Sequence, residues 1–231
     1  GNDIANNSLG VGLHDCHSNS IDDNKISFND DRGVSLQSCF DNSIFGNSII
    51  DNNVGIQLNS DMSGDCSNNS IFDNDIKSND IGINLGLLLR KVSNNMIYHN
   101  NFIDNTYQAI TSGWYNVWNL NYPSGGNYWS DYSDKYPSAS EIDSSGIWNT
   151  PYVTNNADVY PMNNADMYPL RAPRVIPEFP SFLILLLFMI MTVLIAIVYK
   201  RTTKRQTRLF AIKRISIIIP SILLLLASMS T

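Results

Sequence analysis

The side chains able to do chemistry in this 231-residue chain are few and regularly spaced. Cys16, Cys39 and Cys66 each stand three residues before an asparagine (Asn19, Asn42, Asn69), and Val92 takes that place before Asn95. A position that accepts cysteine and valine alike reads as a small buried apolar slot. Stacked thiols could instead form one disulfide or hold a soft ion such as Cu(I). Parallel side chains keep their Cβ atoms too far apart for a relaxed disulfide, and three cysteines leave one over. His14 and His17 share one loop and make a second candidate pair for copper, whereas His99 lies several repeats away.

Carboxylates and aromatic rings supply the other candidates. Hydrolysis of a polysaccharide needs one group to donate a proton and a second to attack or activate water. Asp22 and Asp23 are the catalytic candidates, with Asp30-Asp31 and the Asp61/Asp65 loop as further acid clusters. Aspartate is also a routine turn residue, and acidic loops can hold Ca²⁺. Trp118, Trp129 and Trp148, with Asp131 and Asp134 nearby in sequence, are the candidates for stacking on sugar rings. No phosphate loop, zinc spacing or Ser/His/Asp arrangement accompanies them.

What must position these groups is a repeat. Asn19-Ser-Ile21, Asn42-Ser-Ile44, Asn69-Ser-Ile71 and Asn95-Met-Ile97 share one pattern. Each is followed five residues on by Ile26, Ile49, Ile76 or Phe102. Glycine then opens a third element at Gly10, Gly33, Gly55 and Gly82, and Ala109-Ile110 looks like a weakened last copy. A period of roughly 20–29 residues suits three short strands and three turns, one coil of a solenoid. Such coils bury their apolar side chains only by stacking. The fold expected is all-β: a right-handed parallel β-helix over 1–112, closed by an aromatic-rich cap over 113–170.

Stacking predicts ladders. Ile21, Ile44, Ile71 and Ile97 form one; Val11, Val34, Ile56, Ile83 and Ile110 form another. Asn2, Asn24, Asn47, Asn74 and Asn100 line one bend, and Asn7, Asn29, Asn52, Asn79 and Asn105 a second. Asparagine amides bond neighbours above and below and tolerate left-handed bends, and the glycines serve tight corners. Residues added to the third coil (59–65) and the fourth (86–91) are side loops, where repeat folds carry function.

The Asn-rich repeat resembles the NosD-like β-helix family, also described as carbohydrate-binding and sugar-hydrolysis repeats. The resemblance covers roughly residues 1–170 and implies a surface protein, with copper delivery in some members. Gly-Asn-Tyr-Trp-Ser-Asp-Tyr at 126–132 and Gly-Ile-Trp-Asn-Thr-Pro-Tyr at 146–152 look like the C-terminal module of archaeal members. A tandem octamer follows at 155–162 and 163–170, where those relatives show one copy. The cap reads as a lid over the solenoid end, or as a carbohydrate platform, or as both.

Beyond the cap, 171–180 holds three prolines and reads as a stiff linker. Residues 181–199 are uninterruptedly apolar and long enough, at about 28 Å, to span a bilayer as a helix. The basic segment 200–214 carries seven Lys or Arg and no acid, which places it in the cytoplasm and the β-helix outside. Pro-Glu-Phe-Pro-Ser at 177–181 looks like the archaeal PEF-type sorting signal, from which this chain departs by continuing into a second apolar stretch, 215–231. That stretch reads as a short returning span or an interfacial tail. The first residue already lies inside a coil, so a leader and earlier coils are expected upstream.

Charge excludes one class of partner. Residues 1–170 hold six Lys or Arg against twenty Asp or Glu, a net −14, which repels nucleic acid. The expected partners are a lipid membrane and cell-surface polysaccharide or envelope proteins. The expected role is binding or structural rather than catalytic. A polysaccharide hydrolase or lyase and a copper-handling protein are the alternatives.

Overall fold

The computed structural model describes residues 1–86, 91–112, 115–154 and 165–175. Short strands pair in parallel, coil upon coil. The first sheet contains Asp3–Ala5, Lys25–Ser27, Ser48–Ile50, Asp75–Lys77, Asn101–Ile103 and Tyr128–Trp129. The second contains Ser20–Asp22, Ser43–Phe45, Ser70–Phe72 and Met96–Tyr98. The third contains Leu9–His14, Arg32–Gln37, Val54–Asn59, Ile81–Leu85 and Tyr107–Thr111. The chain is therefore an all-β parallel β-solenoid of about five coils.

The ladders follow from this register. Ile21, Ile44, Ile71 and Ile97 are paired in order. Ile4, Ile26, Ile49, Ile76, Phe102 and Trp129 form a second file, fully buried from Ile26 to Phe102. Each such side chain contributes about 1.5–3 kcal/mol by leaving water. The file Val11, Val34, Ile56 and Ile83 ends on Ala109, not on the expected Ile110. Gln108, not Ala109, stands at the glycine place, so the last copy is offset by one residue and Ile110 lies opposite Asn84.

Three asparagine files run up the bends. In each, the backbone N–H and side-chain amide of one Asn donate to Oδ1 of the Asn in the next coil. Asn47 N and Nδ2 both lie 3.0 Å from Asn74 Oδ1, and Asn74 N lies 3.1 Å from Asn100 Oδ1. The third file, Asn19, Asn42, Asn69, Asn95 and Asn116, follows the same rule. Buried corners thereby lose no backbone donor.

Two local expectations are corrected. The ladder asparagines are not the left-handed residues; the residue before most of them is, as at Ser18, Asp23, Phe28, Asp41, Asp73 and Asp104. Gly33, Gly55 and Gly82 lie in strands and adopt no positive φ. They are glycine because of close approach: a Cβ on Gly55 would lie 2.5 Å from the Gly82 carbonyl oxygen. Coils can stack at strand spacing there only without a side chain.

The solenoid does not stop at residue 112. Asn116 and Asn127 continue two asparagine files, and Val117 bridges Met96, which puts Trp118 beside Ile97. Among the described residues no helix is long and apolar enough to cross a membrane. The spans expected at 181–199 and 215–231, the basic segment 200–214 and residues 176–180 of the linker lie outside the described residues.

Candidate functional site

The cap is built on the last rungs. Trp129 stacks on Phe102 at 4.4 Å on one side and on Tyr152 at 4.1 Å on the other. Trp118 and Trp129 are each 1% exposed. Neither ring can meet a sugar, which corrects the platform expectation for these two. Both fill core slots that isoleucine holds in earlier coils. The signal lay in the spacing: Trp118 and Trp129 each stand two residues after a ladder asparagine, as do Ile97 and Phe102. Trp148 is half-buried, with its ring stacked on Tyr132 at 5.1 Å. Asp131 accepts a hydrogen bond from the Tyr152 hydroxyl at 2.9 Å, so it braces the lid. Asp134 is exposed on the short helix Tyr132–Lys135.

Asp166, from the second octamer, terminates an asparagine file. Asn127 N donates to its Oδ2 at 2.6 Å, in the place where the next Asn would stand, and Trp129 Nε1 donates to the same oxygen at 3.0 Å. A carboxylate accepts without bringing an amide that needs its own partners, which suits the end of a file. Burial pushes its carboxyl up to about 7, against the opposing effect of the backbone and Trp129 donors. Gly126 must be glycine, because the Asp166 carboxylate lies where a Cβ would be.

Cys16, Cys39 and Cys66 are free thiols on successive rungs, and Val92 pairs with Cys66. Cys39 and Cys66 are fully buried, and burial raises both, Cys66 to about 12.

The histidines part company. His17 stacks on Phe40 at 4.8 Å and contacts Ser18 Oγ. His14 instead meets the third-coil side loop: its Nε2 lies 3.1 Å from Asp61 Oδ2 and its Nδ1 3.2 Å from Asp15 Oδ2. The expected His14/His17 pair is not formed. Asp61 is held rigidly, accepting from Ser38 Oγ at 2.6 Å, Ser63 N at 2.7 Å and Gln37 Nε2 at 2.6 Å. The serine hydroxyls hold its carboxyl well below the usual carboxylate range. Among the described residues, His14, Asp15 and Asp61 are the one group of three or more potential metal donors gathered together.

The catalytic candidates are engaged separately. Asp22 accepts from Ser20 Oγ at 2.6 Å. Asp23 turns a left-handed corner with its carboxylate against Gly46.

A lateral groove of about 460 Å³ opens at the bend between the first and third sheets, lined by Phe28, Asp30, Asp51, Asn53, Ser78 and Asp80 among others. Phe28 is 55% exposed with φ 54°, a conformation bulky residues rarely adopt. The residues at the same corner of other coils are Asn6, Asp51, Ser78 and Asp104. Sequence reasoning missed this site. The signal was one large apolar residue at a place otherwise given to small polar ones.

A family model described as periplasmic copper-binding protein (NosD) matches residues 1–134, through the last rung of the solenoid. The chain belongs to the NosD family. No curated protein and no solved structure matches it. The NosD family description poses the question of where copper would fit. The thiol file is made of core side chains: Cys39 and Cys66 are fully buried and Val92 continues their file. The imidazole and carboxylates of His14, Asp15 and Asp61 are a donor set that suits Cu(II). Membership of NosD makes this an extracellular or periplasmic β-helix protein.

Proposed function

We propose that this NosD-family chain is a membrane-held surface β-helix that binds cell-surface polysaccharide, or an envelope component carrying it, along its lateral groove. One observation carries the reading: an exposed aromatic ring in a strained corner, set in a groove of aspartate, asparagine and serine. Left-handed geometry recurs at this corner in the other coils, so the bulky exposed ring is what sets Phe28 apart. The groove chemistry is that of sugar recognition: carboxylates and amides for hydroxyl groups, an aromatic face for the ring. The apolar run at 181–199 and its basic flank support the anchor.

The test is binding of the full chain, in mild detergent, to arrayed and purified surface glycans. Phe28→Asn keeps the left-handed corner, since Asn6 stands at the equivalent place. Paired with Asp51→Asn, it should weaken binding about tenfold, roughly 1.4 kcal/mol. Unchanged affinity in that double variant would discard the groove.

A further inference from the structure

The lateral groove holds negative charge that the fold leaves unanswered. Asp30, Asp51 and Asp80 line it, and all three are exposed. Among the described residues their carboxylates have no hydrogen-bond or ion-pair partner, and no lysine or arginine lines the groove. Arg32, close by in sequence, is turned to Asp31 at 3.5 Å. Other acids are tied into the structure: Asp22 accepts from Ser20, Asp61 from Ser38 and Asp131 from Tyr152.

The groove also has an apolar end. Between its ladder asparagine and its third-sheet strand the second coil holds two residues, Asp30 and Asp31, where the third and fourth coils hold one each, Asn53 and Asp80. The additional residue falls beside Phe28, whose ring is 55% exposed. Phe28, Asp51 and Ser78 take the same corner in successive coils. At strand spacing the groove therefore runs roughly 10 Å along the axis, from an aromatic ring into a row of acids. A bare metal ion would use the acids and leave the ring idle. A glycan bearing carboxylate, sulfate or phosphate would meet like charge in a concave site, where a field of one sign is concentrated. A sugar with a protonated amine answers both features. Its C–H face lies on the ring, its ammonium pairs with the carboxylates and is drawn to the aromatic face, and its hydroxyls reach Asn53 and Ser78.

We propose that the groove selects cationic glycans, polymers of hexosamine with free amino groups, over neutral and acidic ones. The inference rests on the glycan-binding reading of the groove and adds the charge of the ligand.

The test uses the full chain in mild detergent at mildly acidic pH, where sugar amines are protonated, with chelator present. Calorimetry compares glucosamine oligomers, their N-acetylated counterparts and oligogalacturonate. The first two share ring and linkage and differ in charge. The free-amine oligomer should bind about tenfold more tightly than the acetylated one, as several exposed ion pairs together allow. That advantage should shrink as salt is raised, and oligogalacturonate should bind most weakly. The triple variant Asp30→Asn/Asp51→Asn/Asp80→Asn should erase the advantage with an unchanged circular dichroism spectrum, whereas Asp134→Asn, on the short helix of the cap, keeps it. Equal affinity for the two glucosamine-type oligomers, an advantage that survives the triple variant, or binding that appears only on adding calcium chloride overturns the inference and leaves the groove a glycan site. Absence of binding to these oligomers and to every arrayed glycan removes the groove reading as well.

Discussion

Replacing Asn74 with alanine should remove more stability than any other single amide on the surface of a coil would suggest. Asn74 is fully buried. Its Oδ1 accepts from Asn47 N and Asn47 Nδ2, both at 3.0 Å, and its two Nδ2 hydrogens are shared among Ile44 O, Phe72 O and Asn100 Oδ1 at 2.9, 3.0 and 2.9 Å. Alanine leaves the buried Asn47 N–H without an acceptor, which costs about 1–3 kcal/mol, and forfeits further hydrogen bonds worth about 1 kcal/mol each. The expected loss is about 4–6 kcal/mol, a large share of the 5–15 kcal/mol typical of a domain. Because each coil contacts only its neighbours, the break should also split the unfolding transition into two steps on either side of the fourth coil. The assay is urea denaturation of the full chain in mild detergent, followed by far-UV circular dichroism. Exposed Asn53, outside the files, is the control, and Asn53→Ala should stay within about 0.5 kcal/mol of the parent. A loss below about 1 kcal/mol for Asn74→Ala, no larger than the control, would refute the claim that the amide files hold the coils together.

Asp166 makes a pH prediction with a definite sign. Its carboxyl is raised to about 7 in the folded chain, so between about pH 4 and pH 7 the folded state keeps a proton that the unfolded state has released. Stability from this group is therefore full in mild acid and falls as pH rises through that window, by about 4 kcal/mol in total. Asp166→Asn should flatten the profile relative to the parent, and parallel profiles would count against burial as the dominant effect. For the thiols, half-buried Cys16 should react first with a disulfide reagent in the native chain. Cys66, near 12, should react at least about a thousandfold more slowly than an ordinary cysteine, and all three should titrate after unfolding. A total of one titratable thiol without reductant would mean a disulfide.

The solenoid was legible because its cause is local and repeated. Each coil puts an asparagine at the bend and an isoleucine two residues on, and the pattern could be read from 19–21, 42–44 and 69–71 without knowing any contact. The same pattern held at Asn116 and Asn127, but tryptophan in the isoleucine slot disguised Trp118 and Trp129 as surface rings. The one-residue offset at Ala109 was equally hidden, because glutamine replaced the glycine that marks the register elsewhere.

By itself the amino-acid sequence determined the period, the parallel stacking and the files of isoleucine and asparagine, since identical side chains at a fixed interval have one way to satisfy themselves together. Only the tertiary structure decided which groups meet across coils. The inserted loop brings Asp61 to His14 across 47 positions, and the cap brings Asp166 to Asn127 across 39. Those encounters depend on how an irregular loop and a lid fold back over a regular scaffold. Nothing in the repeat constrains them, because residues outside a period carry no register.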